Sequence, residues 1–198
     1  MDFWKVSMLA AALCALVLPK NLHAEMEYPP TSRVIHGDQS IDLKFTGATR
    51  RQILVVKVYE MAHYMDCQHS AYEAIPLEEI FSSEIPKQIR MQFLRDLPQE
   101  KVHAELRKSI IRNSKEEWIQ AAGSSVDDFF AAIDRDGKKD DTFVINWMPG
   151  GKIVAYYNGE LSLEIDNMYF AKMLWSIWFG DKPVVRRDRL VEEILAQP

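Results

Sequence analysis

Tyr157-Asn158-Gly159-Glu160, then Ile165-Asp166-Asn167, then Phe170-Ala171-Lys172 and Trp175-Ser176-Ile177-Trp178-Phe179-Gly180-Asp181-Lys182-Pro183, read in order as a hairpin, a strand end, a capped helix and a stop. Asn-Gly suits a type I′ turn, in which both central residues need positive φ. Asp166 or Asn167 can accept a hydrogen bond from the free amides that open the next helix. Gly180 can take the left-handed conformation that ends it, and Pro183 keeps it from resuming. The helix itself, Met168 to Phe179, is apolar nearly all round. Such a helix is expected to lie buried between a sheet and a further layer.

Upstream of this stretch, three short strands are expected: Thr142 to Met148, Ile153 to Tyr157 and Leu161 to Ile165. Their links, Pro149-Gly150-Gly151 and Asn158-Gly159, are too short for anything but antiparallel neighbours. Further upstream, Ile41 to Phe45 alternates as a strand. Gln52 to Tyr64 reads as a longer one whose apolar middle, Ile53 to Val56, is expected at the centre of a sheet. Along Lys87 to Leu94, Ile89, Met91 and Phe93 face one way and Gln88, Arg90 and Gln92 the other. Pro98 opens a helical region with Val102, Leu106, Ile110 and Ile111 as its apolar stripe. A second helix is expected near Ser125 to Ile133, a turn at Asp136-Gly137 and a last helix from about Arg187 to Ala196. Strands on both sides of a helical middle, without βαβ alternation, predict an α+β fold built on an antiparallel sheet.

The whole-chain properties set bounds. The 198 residues suit one domain, and 47% hydrophobic with 27% charged residues allows a sizeable core. A formal net charge of −5, with no long run of Lys or Arg, argues against nucleic acid as a partner. Lys5, the apolar run Val6 to Leu18, Pro19 and the small Ala24 read as a secretory signal peptide spanning residues 1–24. The run is short of the roughly 20 residues of a comfortable membrane span. A retained anchor is the competing reading; otherwise no stable span is expected, and the chain is expected in the periplasm or outside the cell. Cleavage after Ala24 leaves one cysteine, Cys67, so export does not imply a disulfide scaffold. Residues 25–36, with Pro29-Pro30, are expected as an extended lead-in to a single domain over 37–198.

The C-terminal stretch resembles the chalcone isomerase-like family, above all its secreted bacterial members. A second matching block runs from Phe45-Thr46-Gly47-Ala48-Thr49-Arg50-Arg51 to Lys57-Val58-Tyr59-Glu60-Met61-Ala62-His63-Tyr64-Met65. A weaker third is Met91-Gln92-Phe93-Leu94-Arg95-Asp96. The resemblance implies an antiparallel sheet with helices layered on one face and a ligand cleft between them. In the family's enzymes, the arginine after the glycine-rich turn binds an anionic oxygen of the substrate. In its non-catalytic relatives, that arginine and a tyrosine hold a fatty-acid carboxylate. Arg51 matches the arginine, with Arg50 as the alternative register. Tyr59 falls where the enzymes carry a threonine, which resembles the fatty-acid-binding members. The enzymes' catalytic tyrosine and asparagine match no residue here, which counts against chalcone isomerisation.

An arginine suits a carboxylate because its planar fork is always charged and can bind two oxygens at once. Distance presents a difficulty: on one straight strand Arg51 and Tyr59 would be about 27 Å apart. The ordinary alternatives are an ion-paired surface arginine and a core tyrosine. His63, Asp66, Cys67 and His69 cluster in sequence but fit no zinc spacing, and a solvated loop is the simpler reading. His103 reads as a helix-surface histidine. Trp175, Trp178 and Phe179 read as core, or as the wall of a cleft. No cofactor motif is present: there is no G-x-S-x-G, phosphate-binding glycine loop or His-Glu-x-x-His. Three functions follow as expectations. The first is a non-catalytic binder of a small amphipathic acid such as a fatty acid, through Arg51 and Tyr59. The second is an isomerase or intramolecular lyase acting on a chalcone-like enone. The third is an envelope interaction module with a filled core.

Overall fold

The computed structural model describes residues 28–66 and 85–195. The expected signal peptide, Cys67 and His69 lie outside these residues. Seven strands form one antiparallel sheet in chain order: β1 (Thr31–His36), β2 (Gln39–Ile53), β3 (Val56–Asp66), β4 (Lys87–Phe93), β5 (Thr142–Trp147), β6 (Lys152–Tyr157) and β7 (Glu160–Asp166). Helices α1 (Gln99–Asn113), α2 (Glu116–Ala122) and α3 (Ser125–Ala132) separate β4 from β5, and α4 (Met168–Phe179) follows β7. A 3-10 turn, Arg187–Val191, runs into the short helix α5 (Glu192–Leu195).

Period-two alternation sorts the sheet into two faces. Met61 and Met65 of β3, Ile89 and Met91 of β4, and Ile145 and Trp147 of β5 join one large core with α4. That helix is buried along nearly its whole length, because Lys172 is its one charged residue. It lies between the sheet and the outer helices α1 and α2. Asn167 caps it by accepting from the amides of Tyr169 and Phe170 at 3.0 and 3.1 Å. Arg187 donates to the carbonyls of Phe179 and Gly180 at the other end, where a cation suits the helix dipole. The opposite face carries a smaller core of Val34, Leu43, Ala62, Tyr64 and Met148. Beside it run polar links from Ser32 to Gln88 and from Gln88 to Asn146.

Several expectations change. The single strand Gln52 to Tyr64 is two strands, joined by Leu54 and Val55, and the apolar middle is an exposed hairpin tip rather than a sheet centre. Leu54 is 90% exposed and Val55 88%. Leu54 sits at φ +54°, a left-handed conformation that costs a non-glycine residue about 1–2 kcal/mol. Continuous apolarity was the wrong signal here, since it cannot separate a buried strand from an apolar turn. Of residues 25–36, expected as a lead-in before the domain, Thr31–His36 form β1 and pair with β2 inside the sheet. The helical middle holds α2 as a separate helix, in which Trp118 and Ala122 are the buried positions. The last helix is mostly a 3-10 turn. Gly180 is not left-handed but extended (φ −67°, ψ −170°). It is glycine because a Cβ there would lie 2.6 Å from the Ser176 carbonyl and 2.9 Å from Asn113 Oδ1.

The C-terminal turn is fastened to β2 at a bulge between Phe45 and Gly47. A Cβ on Gly47 would lie 2.1 Å from the Arg189 carbonyl oxygen, and its φ of +154° is itself unsuited to other residues. The Thr46 hydroxyl donates to the Leu190 carbonyl at 2.7 Å, and His63 Nδ1 lies 2.7 Å from Thr46 Oγ1. A hydroxyl carries one hydrogen, so when Thr46 donates to Leu190, Nδ1 is the donor to Thr46. His63 is a fully buried strand residue, not part of a solvated loop. Burial first, and then Lys87 nearby, hold its pKa well below the ordinary imidazole value. Lys87 is itself buried, 4.3 Å from the centre of the Trp147 ring, and burial brings its ammonium down to about 7.

Two outcomes are expected. Gly47→Ala should cost about 3 kcal/mol or more, because backbone must move, whereas Gly159→Ala, with open space around it, should cost only about 1 kcal/mol. Chemical denaturation of both variants checks this. His63 binds a proton in the unfolded chain near pH 6.5 but resists one when folded, so its contribution is intact above that pH. Stability should fall below it with a slope of up to about 1.4 kcal/mol per pH unit. The His63→Gln variant should lose that part of the slope between pH 6.5 and 5 when melting is followed against pH.

Candidate functional site

At the end of the sheet that carries the β2–β3 hairpin, the helices stand off the strands and leave a cavity of about 980 Å³. Its floor is sheet: Tyr59, Met91, Phe93, Phe143, Ile145 and Tyr157. Its roof is helical: Val102 and Leu106 of α1, Phe129 of α3, and Ile177 and Trp178 of α4. Arg51, Ile53, Leu54 and Val56 bring the hairpin into the lining. Besides Arg51, the charged lining residues are Arg95, Asp96, Asp134 and Arg135 of the loops, Lys101 and Glu105 on the outward side of α1, and Glu160 at the start of β7. The volume is at the upper end of the roughly 300–1,000 Å³ usual for small-molecule pockets, and an apolar body with few polar groups is their usual make-up.

The hairpin removes the distance difficulty. Arg51 and Tyr59 are direct partners across β2 and β3, not positions on one strand. Opposed residues of such a pair have Cα atoms about 4.5–5.5 Å apart. The register slips just beyond them: Gln52 pairs with Lys57, which leaves Val58 as an extra residue. Its carbonyl turns to β4 and accepts from the Leu94 amide at 3.0 Å. The slip resets side-chain parity, so Tyr59, Val58 and Val56 all reach the cavity. Arg50 has the other parity. It lies on the opposite face and pairs with Glu60 there, so of the two arginines only Arg51 lines the cavity.

Arg51 donates to the Val184 carbonyl, which holds its guanidinium against the segment after α4. Tyr59 is positioned by Trp178, whose Nε1 donates to the phenol oxygen at 3.2 Å. With that lone pair used, the phenol hydrogen is left to donate elsewhere. Burial pushes the Tyr59 pKa up to about 12 against the opposing pull of Trp178 and Arg51, so the phenol keeps its proton at neutral pH. A fixed cation beside a neutral O–H donor is a complementary pair for a carboxylate.

The remaining candidates resolve as follows. Trp178 serves the cavity wall, while Trp175 and Phe179 are core. His103 is half-buried on α1, with Nε2 3.0 Å from the Ile133 carbonyl and its ring against Phe130. Among the described residues, no group of His, Cys, Asp and Glu could hold a metal ion. No described helix is long and apolar enough to cross a membrane. Sequence reasoning missed the Trp178–Tyr59 bond, since nothing in a linear pattern links residues 119 positions apart.

The chain superposes on the crystal structure of an Arabidopsis thaliana fatty-acid binding protein with a TM-score of 0.61. The match covers 82% of this chain and 96% of that one at 13% identity, a likeness of fold. No curated protein matches by sequence. The family model described as chalcone isomerase-like matches residues 24–196, so the chain belongs to the chalcone isomerase-like family.

Proposed function

We propose that this protein is an exported, non-catalytic binder of a small amphipathic acid such as a fatty acid. The observation that carries the reading is the cross-strand pair Arg51 and Tyr59 at the edge of a cavity whose walls are otherwise mostly apolar. A hydrocarbon chain gains about 0.8 kcal/mol for each methylene it removes from water into such a space. The carboxylate needs donors it does not have to share, and Arg51 and the Tyr59 hydroxyl meet that need. The fold shared with a protein described as fatty-acid binding supports the same ligand class. Export is proposed from the N-terminal sequence alone. Amino-terminal sequencing of protein from the envelope or medium should begin at Glu25, and an intact Met1 there would remove this part of the reading.

Delipidated protein titrated with long-chain fatty acids should show saturable binding. Arg51→Ala should weaken it about 10- to 150-fold, the worth of a hydrogen bond to a charged group. Trp178→Phe keeps the wall but removes the donor that orients Tyr59, and should weaken binding only a few-fold. Because Tyr59 stays protonated to about pH 12, affinity should be flat between pH 7 and 10. Absence of saturable binding, or equal binding by Arg51→Ala, would sink the assignment.

A further inference from the structure

The tip of the β2–β3 hairpin combines features that a soluble turn has no need of. Four consecutive residues, Ile53, Leu54, Val55 and Val56, are apolar and 47%, 90%, 88% and 39% exposed. Leu54 holds a left-handed conformation at the first central position of a two-residue turn. Gly, Asn or Asp would adopt it without strain, so the leucine works against the turn that it occupies. The Gln52 side chain donates to the Leu54 carbonyl at 2.6 Å and holds the turn in place. The nearest charges along the chain are cationic. Arg50 is neutralised by Glu60; among the described residues Arg51 meets only a carbonyl, and Lys57 is exposed.

We infer that this tip is a wedge that enters the surface of a lipid bilayer and sets the cavity mouth against it. Three observations favour a bilayer over a protein partner. The tip is continuous with the cavity, since Ile53, Leu54 and Val56 belong to both. The height also matches. Arg51 precedes Leu54 by three strand residues, or about 10 Å. Interfacial apolar segments sink about 5–10 Å into the boundary between headgroups and acyl chains. A tip buried to that depth leaves Arg51, Tyr59 and Lys57 level with the headgroups, where the carboxylate of a membrane-dissolved acid also lies. Finally, the cations beside the wedge complement lipid phosphates. This inference rests on the fatty-acid reading for its purpose, but the docking itself is tested without it.

The test uses the chain from Glu25, which contains every described residue, and vesicles of phosphatidylcholine with and without phosphatidylglycerol. The protein should sediment with both, and more with the anionic mixture. Val55 lies outside the cavity lining, so Val55→Asp should lose about tenfold in partition while binding fatty acid from solution as the parent does. Leu54→Asn should also lose vesicle binding, with an unchanged or higher melting temperature, which excludes misfolding as the cause. Failure of the parent chain to sediment would overturn the proposal, as would equal sedimentation of Val55→Asp. A dimer that Val55→Asp abolishes would also overturn it, since a second copy would then cover the tip. Failure of the fatty-acid reading is a separate result: vesicle binding would persist without saturable uptake of free acid.

Discussion

One helix that must be buried on every side sets the architecture. Met168–Phe179 offers no polar stripe to solvent, so it cannot lie on a sheet as an outer layer. It needs strands beneath it and helices above, and α1 and α2 supply the second cover. The long side chains of α4 hold the covering layer off the sheet, and the sheet extends past the helix at its hairpin end. There Ile177 and Trp178, at the C-terminal end of α4, face the strands across the cavity. The cavity is the space between the sheet, that end of α4, and α1 and α3.

Much of this was legible in the sequence. The turn at Asn158 and Gly159, with φ of +49° and +84°, and the Asn167 cap have local causes and could be read locally. Strands β4 to β7 announced themselves by alternation and short links. The failures have a common source: places where tertiary contact, not local preference, selects the conformation. Gly180 looked like a left-handed cap, but it is glycine because Asn113 of α1 packs against it. The Ile53 to Val56 run looked like a buried strand because apolarity normally means burial. His63, inside an expected strand, was grouped with Asp66, Cys67 and His69 as a solvated loop, because its partners, Thr46 and the C-terminal turn, are distant in sequence.

The candidate site shows the same division. Arg51 and Tyr59 could be named from their resemblance to the family, and their shared strand parity was visible. What the sequence could not show was the turn between them. Because of it, residues eight positions apart are direct neighbours. The one-residue slip at Val58 is equally invisible, yet it decides which side chains of the hairpin reach the cavity.

The seam between Thr46 and Leu190 has a consequence for synthesis. The two residues are 144 positions apart. Until the ribosome has released those residues, the Gly47 bulge lacks its lid and the neighbourhood of His63 stays incomplete. A growing chain therefore cannot close this domain early, whatever its first strands do. Such a molecule stays threadable until Leu190 has emerged.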